Sequence, residues 1–560
     1  MKPYFLGVDV GTSSVRVALF DFNGKLIDLK VTSIQIFNSK VDFYEQSSEE
    51  IWSSICQAIK NILNDNSDIK SDEIVSIGFD ATCSLVVLDD EFRPVTVSQK
   101  DNADDTINVI MWMDHRSIKQ TEFINATNHE CLNTVGGKIS VEMDPPKILW
   151  LKENLYEKCY SRAKYFFSLP DFLVWKCSNI DVRSICTTNC KWLYRSEPTT
   201  NKWEESFWSQ IGLKDLTMNN FKAIGSRVVK PFSYIDDLKI SPEVAQITGL
   251  NTELKVGISM IDAHAGGIGG IAVTLGFLEN IKIEEIVVLV SGTSSCIMTT
   301  TPLPKHVKAI WGPYYSAMVP NYWLNESGQS ASGKLLEHIT QSHPSYTTLK
   351  RLADESNESV YTILDNVLID VAATQNFCTK EISLLTQNIH IYPDFHGNRS
   401  PLADNRMTGV ICGLKIDKSL ENLAVLYLAT IQSLAYQTKH IINVIKANGC
   451  IFKILTLIGG LATNRTYCQL LSDIIELPVL ISTENFDSIV LLGSAILGAS
   501  NYKEYETLSF NELIKKFGKS DSVNLLVPND NLKKYHEKKY QVYLRMLEDQ
   551  IEYRKLMQDN

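Results

Sequence analysis

The chain has 560 residues, of which 44% are hydrophobic and 21% are charged, with a formal net charge of −11 at pH 7. This length exceeds what one ordinary hydrophobic core needs, so it predicts two or more globular domains. The acidic balance and the lack of long runs of like charge argue against nucleic acid or an anionic membrane as partner. A function on small molecules is favoured by elimination.

The N-terminal residues, MKPYFLGVDVG, lack the features of a signal peptide. No apolar run approaches the roughly 18 residues of a membrane span. These features predict a cytoplasmic protein whose twelve cysteines are free thiols. Cys186 and Cys190 form the closest pair, but no second pair stands near them in sequence, so this spacing by itself does not favour a metal site.

The N-terminal third begins with short β-type runs. Residues 4–31 alternate such runs with turn residues, including the hairpin signal Asn23-Gly24, which predicts antiparallel strands. Residues 48–65 then have helical spacing and precede a buried strand, EIVSIGFDAT. The residues Gly11-Thr-Ser-Ser14 separate two of the first β-type runs. A second strand–GTSS–strand unit follows Glu285, and this repetition predicts two similar domains.

The chain after residue 400 alternates helices and strands, which indicates an α/β domain. Spacing and caps predict, in order, a helix over 419–447, a strand in KILTLIGG, a helix over 464–477, a strand in PVLIS and a helix in SIVLLGSAILGAS. The charged tail from residue 531 predicts a terminal helix that packs through one face. A helix that binds a partner is the alternative.

The first turn of the chain has the composition of a phosphate-binding loop. Gly11 lets backbone N–H groups approach phosphate oxygens, Thr12 and Ser13 add hydroxyl donors, and Arg16 adds positive charge. Asp9 could hold a magnesium ion or its water. An ordinary Gly-Thr hairpin is the alternative, and the second copy of the motif at Ser291-Gly-Thr-Ser294 favours the phosphate interpretation.

Three loops carry a resemblance to known proteins. Asp9-x-Gly-Thr-Ser-x-x-Arg16, Ser291-Gly-Thr-Ser294 and Ile458-Gly-Gly-Leu-Ala-Thr-Asn464 resemble, in that order, the two phosphate loops and the adenosine loop of the actin, hexokinase and heat-shock chaperone superfamily. Trp112-Met-Asp-His-Arg116 and Asp394-Phe-His-Gly-Asn-Arg-Ser-Pro401 further resemble signatures of the FGGY carbohydrate kinases.

Three more segments resemble the ribulokinase branch of that family. They are Gly78-Phe-Asp-Ala-Thr-Cys83, Asn189-Cys-Lys191 and Glu326-Ser-Gly-Gln-Ser330. The arginine–glutamate pair of glycerol kinases is not evident early in the chain, which makes glycerol an unfavourable substrate.

The resemblance implies an α/β fold of two actin-like, ribonuclease-H-like domains flanking a nucleotide cleft. The implied N-terminal, sugar-side domain covers 1–270, the C-terminal, ATP-side domain covers 271–505, and an extension with a terminal helix covers 506–560. The implied ATP-binding residues are Gly11, Thr12, Ser13, Arg16, Gly292, Thr293, Ser294, Gly459, Gly460 and Asn464, with Asp9 and Asp262 holding Mg²⁺. The implied sugar-binding residues are Ala81, Trp112, Asp114, Arg116, Lys191, Asp262 and Glu326. A surface turn ahead of a helix is the alternative for residues 112–116.

Asp262 matches the catalytic base of these kinases, which accepts a proton from the sugar hydroxyl. Phosphoryl transfer needs such a carboxylate beside an acceptor oxygen that lies in line with the γ-phosphorus. A helix N-cap is the structural alternative for Asp262. His264 follows closely and is expected to be structural.

The glycines after Asp262 read Gly267-Ile-Gly-Gly-Ile-Ala272, a weak form of the dinucleotide-binding fingerprint. That interpretation is disfavoured because the acidic residue precedes the glycines instead of following them by about 20 residues. The glycines are expected to permit close packing.

The resemblance therefore implies an ATP- and Mg²⁺-dependent ketopentose kinase, with D-ribulose favoured as the sugar. Xylulose or L-ribulose kinase is the alternative among enzymes, and a non-catalytic ATP-binding regulator is the alternative outside them. The oligomeric state stays open, with a homodimer among the alternatives.

Overall fold

The computed structural model describes residues 2–482, 488–519 and 522–558, which form parts of two compact units. Unit 1 comprises Met1–Ile283, Thr300–Asn325 and Ser488–Asp521. Unit 2 comprises Glu284–Thr299, Glu326–Asp487 and Ser522–Asn560.

The main sheet of unit 1 is built on the predicted N-terminal strands. Its members are β1 (Tyr4–Val10), β2 (Ser14–Phe20), β3 (Leu26–Ser33), β5 (Ile74–Ala81), β13 (Lys255–Val256) and β14 (Met260–Ile261). Strands β1, β2 and β3 pair antiparallel, as predicted, and Gly24 has the positive φ of +82° that the connection between β2 and β3 requires. Strand β5 pairs in parallel with β1, β13 and β14.

A second sheet of unit 1 has four strands in the spatial order β4 (Glu45–Gln46), β7 (Val109–Ile110), β6 (Leu85–Leu88) and β8 (Tyr165–Ser168). The remaining strands up to residue 261 are β9 (Arg183–Ser184), β10 (Arg195–Ser196), β11 (Asn201–Lys202) and β12 (Val228–Val229). The helices are α1 (Ser48–Asp65), α2 (Ile118–Ala126), α3 (Asp144–Asn154), α4 (Leu169–Ser178), α5 (Ile185–Trp192), α6 (Glu205–Gln210), α7 (Met218–Phe221), α8 (Pro242–Thr248) and α9 (Asp262–Phe277).

The elements that follow are numbered on along the chain. The strands are β15 (Ile286–Ser291), β16 (Ser295–Thr301), β17 (Trp311–Tyr315), β18 (Trp323–Gln329), β19 (His390–Tyr392), β20 (Val410–Cys412), β21 (Ile454–Ile458), β22 (Val479–Ser482) and β23 (Val523–Leu526). The helices are α10 (Gly333–Gln341), α11 (Tyr346–Ser356), α12 (Val360–Thr374), α13 (Leu420–Ala447), α14 (Arg465–Ile475), α15 (Ser488–Ala499), α16 (Phe510–Phe517) and α17 (Lys533–Gln558).

Helix α15 packs on the main sheet of unit 1 and on α9, and glycines make this packing close. A Cβ atom on Gly269 would lie 2.0 Å from the carbonyl oxygen of Ile489, and one on Gly78 would lie 1.8 Å from that of Ser494. Gly267 to Ala272 are all interior residues of α9, so the predicted packing role of this glycine cluster is confirmed at Gly269. The dinucleotide interpretation is wrong, because its glycines must form a turn between a strand and a helix.

The core of unit 2 is a sheet in which β16, β15, β21, β22 and β23 are neighbours in that order. The predicted alternation after residue 400 is confirmed, since α13, β21, α14, β22 and α15 follow one another. Terminal helix α17 packs through one face, as predicted, with Tyr540, Tyr543 and Leu547 buried in the core of this unit.

Three further observations bear on the class of protein. All twelve cysteines are free thiols, as predicted. Among the described residues, no helix combines the length and the apolar character that crossing a membrane would require. Ser488–Ala499 belong to compact unit 1. The predicted C-terminal domain is instead one continuous range, residues 271–505, which includes these residues.

Candidate active site

Three carboxyl groups of unit 1 meet where parallel strands end. The register pairs Asp9 of β1 with Asp80 of β5, and pairs Met260 of β14 with the same Asp80, so Asp262 follows at the end of β14. The carboxyl ends of parallel strands are the usual position of ligand sites in such sheets, because the connections that follow them open there. The topology therefore brings together two predicted residues, Asp9 and Asp262, that lie far apart in sequence.

Asp262 is the first residue of α9, and its side chain is partly exposed. The N-cap position belongs to Ile261, so the N-cap alternative is wrong, although Asp262 Oδ1 accepts a hydrogen bond of 2.7 Å from the amide of Ala263. Burial raises the pKa of the Asp262 carboxyl to about 6, and the negative charge of Asp9 acts in the same direction. A carboxyl group with this pKa is ionised at neutral pH and is a stronger proton acceptor than an ordinary aspartate.

Asp80 completes the acidic cluster, and the sequence analysis did not select it. It is fully buried, and its carboxyl group contacts the hydroxyl of Ser494 and hydrogen-bonds to Asp9. Burial and the charge of Asp9 raise the pKa of Asp80 well above its usual range, and the contact between the two carboxyl groups raises it further. The signal for Asp80 in the sequence is its position inside Gly78–Cys83, a segment that resembles the ribulokinase branch.

Asp9 and the loop after it are held by both neighbouring strands and by Trp112. Arg16 donates to Asp9 Oδ2 at 2.9 Å, and the amide of Gly11 donates to the carbonyl of Ser14 at 3.0 Å, which closes the turn. The indole Nε1 of Trp112 donates to Thr12 Oγ1 at 3.1 Å. The structure thus places the predicted phosphate loop against one predicted sugar-side residue.

Asp114 and Arg116 form a buried ion pair. Arg116 Nε and Nη2 donate to the two oxygens of Asp114 at 2.9 and 2.8 Å, and Nη2 also donates to Glu45 at 2.9 Å. The guanidinium stacks near the ring of Phe43, 4.4 Å from its centroid. The surface-turn alternative for these residues is wrong, because both charged side chains are fully removed from solvent.

Lys191 and Ala81 are buried in unit 1. Lys191 lies in α5 with its Nζ 4.6 Å from the ring centroid of Trp311, a cation–π distance. Asp171 fixes the start of this helix by accepting from the amide of Ser184 at 2.9 Å, and it also accepts from the hydroxyl of Ser259 at 2.6 Å. Ala81 is the last residue of β5 and pairs with Ile261, the residue before Asp262. At this position β5 therefore presents only a methyl group.

Asp144 is a second residue that the sequence analysis missed. It begins α3 and is fully buried, and within the described residues its carboxyl group contacts Ser168 without a hydrogen bond of ordinary geometry. Burial raises the pKa of Asp144 to about 7, against the opposing positive charges of Lys147 and Lys191. A buried carboxyl group with spare hydrogen-bonding capacity near Lys191 is suited to bind a polar ligand. A lone Asp-Pro-Pro segment carries no such signal in sequence.

In unit 2, two predicted nucleotide loops follow adjacent parallel strands. Val290 of β15 pairs with Ile458 of β21, and Gly459 has a φ of +88°. A Cβ on Gly459 would lie 2.7 Å from the carbonyl oxygen of Ser291, whereas one on Gly292 or Gly460 would meet nothing within 4 Å. The two loops therefore touch, and the surface beside Gly292 and Gly460 is open to a ligand.

The start of α10 binds the loop that contains Thr293 and Ser294, which the sequence analysis did not anticipate. The amides of Gly333 and Ser332 donate to the carbonyls of Gly292 and Thr293 at 3.0 and 2.9 Å. The N-terminal end of a helix carries a partial positive charge, which favours anions.

The remaining predicted residues of unit 2 are buried. Asn464 caps α14 by accepting from the amide of Tyr467 at 2.8 Å, and it donates to the hydroxyl of Tyr427 at 2.7 Å. Glu326 lies in β18 and is 4% exposed. Asp394 accepts from Asn398 at 2.8 Å and from Gln437 at 2.6 Å, which ties the segment Asp394–Pro401 to α13.

Comparison with known proteins agrees with this arrangement. The FGGY family of carbohydrate kinases matches by its N-terminal domain over residues 4–269 and by its C-terminal domain over residues 287–502. The chain is 43% identical over 558 residues to an FGGY carbohydrate kinase domain-containing protein of Xenopus laevis, covering 99% of this chain and 98% of that protein. It is 34% identical over 523 residues to a D-ribulokinase of Saccharomyces cerevisiae, covering 90% of this chain and 72% of that protein.

A solved structure has the same fold. The xylulose kinase of Lactobacillus acidophilus superposes with a TM-score of 0.76 at 18% identity, covering 97% of each chain. The protein belongs to the FGGY family of carbohydrate kinases, and it has the two-domain, actin-like α/β fold of that family. It is a phosphotransferase that acts on a carbohydrate with ATP as the phosphoryl donor.

Proposed function

We propose that the protein phosphorylates D-ribulose to D-ribulose 5-phosphate, with Asp262 as the general base. The observation that carries this proposal is the position of Asp262 at the end of β14, beside Asp9 and with a pKa raised to about 6. The similarity to the yeast D-ribulokinase supports the choice of sugar. The sugar side is assigned to residues 1–270 and the ATP side to residues 271–505.

In the proposed reaction, the Asp262 carboxylate accepts the proton of the sugar 5-hydroxyl while the oxygen of this hydroxyl attacks the γ-phosphorus of ATP. A new P–O bond forms to the sugar, the bond between the γ-phosphorus and the bridging oxygen breaks, and ADP leaves. Lys191 and Glu326 would bind sugar hydroxyls, and Ala81 would leave room for the sugar by its small size. These residues would mainly position the reactants and neutralise charge. Positioning and charge neutralisation provide most of the rate gain in phosphoryl transfer.

The nucleotide enters as MgATP. Asp9 and Asp262 offer the hard oxygen ligands that Mg²⁺ prefers, and the negative charge of Asp9 contributes to the raised pKa of Asp262. When bound there, Mg²⁺ would reduce the negative charge of the phosphates. The backbone and hydroxyl donors of Gly11–Ser13 and Gly292–Ser294 would bind phosphate oxygens, and Gly459, Gly460 and Asn464 would line the adenosine site.

A coupled assay of ADP formation over D-ribulose, L-ribulose, xylulose, glycerol, gluconate and a blank without sugar tests the proposal. D-Ribulose is expected to give the highest kcat/KM. A higher value for xylulose or L-ribulose would replace D-ribulose as the substrate. ATP hydrolysis that no sugar increases would overturn the proposal and favour the regulator alternative.

We expect kcat/KM for the sugar to fall as the pH decreases through about 6. The folded-state pKa of Asp262 is raised to about 6, so the carboxylate that accepts the proton is lost by protonation below that pH. The measurement is a pH series of initial rates at saturating MgATP. Nucleotide binding measured over the same series is the control, because ATP phosphates also titrate. A profile that stays flat from neutral pH to well below 6 would contradict this assignment.

Replacing Lys191 with alanine is expected to raise KM for the sugar about 10- to 100-fold, since a hydrogen bond from a charged group contributes about 1.5–3 kcal/mol. KM for MgATP is expected to change little. Lys176→Ala is a matched control, because Lys176 also lies in a helix of unit 1 near a tryptophan, 5.9 Å from the ring of Trp175. Unchanged sugar kinetics in Lys191→Ala would remove this residue from the substrate site.

A further inference from the structure

A cluster of two thiols and one imidazole lies in unit 1, and its imidazole belongs to His264, two residues after Asp262. Cys186 and Cys190 are four residues apart in α5, so their side chains project from the same face of the helix. His264 lies in the first turn of α9 and is fully buried. His264, which is distant in sequence, thus supplies a third potential ligand beside the cysteine pair.

Short contacts join the three side chains of the cluster. Cys186 Sγ lies 3.0 Å from His264 Nδ1, and the side chain of Cys190 hydrogen-bonds to Cys186. A ring nitrogen of His264 lies within 4.8 Å of Cys190 Sγ. Ligand atoms of a tetrahedral zinc ion are about 3.5–3.8 Å apart, given Zn–S and Zn–N bonds of about 2.3 and 2.0 Å. The 3.0 Å contact between Cys186 and His264 is shorter than this spacing, so these two side chains would move apart to hold the ion.

The surroundings also suit a bound ion. The amide of Ile261 donates to Cys186 Sγ at 3.4 Å, a contact that orients this sulfur and links it to the residue before Asp262. Asp262 and Ala263 are partly exposed, so the buried cluster lies next to a position that solvent reaches. None of the proposed steps of phosphoryl transfer uses these thiols.

We propose that Cys186, Cys190 and His264 form a binding site for a thiophilic divalent metal ion such as Zn²⁺. The two-thiolate, one-imidazole ligand set favours zinc over the magnesium of MgATP, because soft sulfur ligands do not select Mg²⁺. The site is separate from the carboxylates proposed to hold MgATP. It does not depend on which sugar the enzyme uses.

Cobalt provides the first test, because it needs no change in the cluster. Exposed Cys378 and Cys412 are first replaced by serine to remove surface thiols. Addition of Co²⁺ to this full-length protein is expected to produce a thiolate-to-cobalt charge-transfer band, which Zn²⁺ then abolishes. A cobalt complex without this band would overturn the proposal, and would show that the ion binds carboxylates only.

The second test measures zinc affinity by competition with a chromophoric chelator. Cys186→Ser and Cys190→Ser are each expected to weaken Zn²⁺ binding by at least about 100-fold, since even loss of an outer partner of a ligand costs about 10–100-fold. Cys56→Ser is the matched control, because Cys56 is also a buried helical cysteine of unit 1. Equal zinc affinity in all three variants and in the parent protein would overturn the proposal. Circular dichroism checks that each variant is folded. If a variant is unfolded, the cobalt spectrum of the parent protein decides whether thiolates bind the ion.

Discussion

Replacing Asp262 with asparagine is expected to lower kcat at least 100-fold. The amide has nearly the same shape but cannot accept the proton of the sugar hydroxyl, and general-base catalysis contributes about 10²–10⁴-fold. The midpoint of thermal unfolding is expected to stay the same or to rise slightly, because the change removes a carboxyl group that Asp9 disfavours in its charged form. Steady-state kinetics with saturating sugar and MgATP measure the effect.

Binding of ATP to the Asp262→Asn variant, measured by calorimetry without sugar, is the control for an intact nucleotide site. Unchanged ATP binding with a large loss of kcat would separate proton transfer from nucleotide binding. A nearly normal kcat would rule out Asp262 as the base and would leave the family assignment untouched. In that event Asp262 would be a structural residue at the start of α9.

Replacing Arg116 with methionine is expected to destabilise unit 1 by about 3–5 kcal/mol, because the change leaves buried carboxylates without their counter-charge. Asp114 and Glu45 both accept from Arg116, and all three side chains are at most 1% exposed. Urea denaturation followed by tryptophan fluorescence measures the change, since Trp150 lies 5.0 Å from the guanidinium.

Arg162→Met is the matched control for this prediction. Arg162 pairs with Asp105 at 2.7 Å, but the two side chains are 43% and 48% exposed, so the loss is expected to be below about 1 kcal/mol. A similar small change in Arg116→Met, accompanied by a large increase in sugar KM, would contradict the structural role and restore substrate contact as the main function of Arg116. The sequence alone suggested that contact, and the ion pair in the structure suggests the structural role.

Local sequence patterns predicted correctly the elements that have a clear periodicity or turn signal. The antiparallel meander, α1, β5 and the alternation after residue 400 follow from residue periodicity and turn residues that act over a few positions. The same local reasoning could not anticipate Asp80 or Asp144, because their properties come from burial by segments distant in the chain. Asp80, for example, contacts Ser494, more than 400 residues away in sequence.

The alternatives that the sequence left open were decided by three-dimensional position. Residues 112–116 are as polar as a surface turn, yet Asp114 and Arg116 are buried because Glu45 and two aromatic rings surround the guanidinium. Asp262 has the residue type of an N-cap, yet β14 ends one residue earlier and makes it the first residue of the helix.

The family, the order of the phosphate loops and the candidate base Asp262 could be inferred from the sequence alone, because short motifs in it resemble the signatures of the FGGY kinases. Which side chains share one environment depends on the tertiary structure. Parallel pairing of β1, β5 and β14 brings Asp9, Asp80 and Asp262 together, and the packing of α5 near the start of α9 brings Cys186 and Cys190 to His264. Burial and the charges of such neighbours set the pKa values and ligand sets of these groups, and neither is encoded in local spacing.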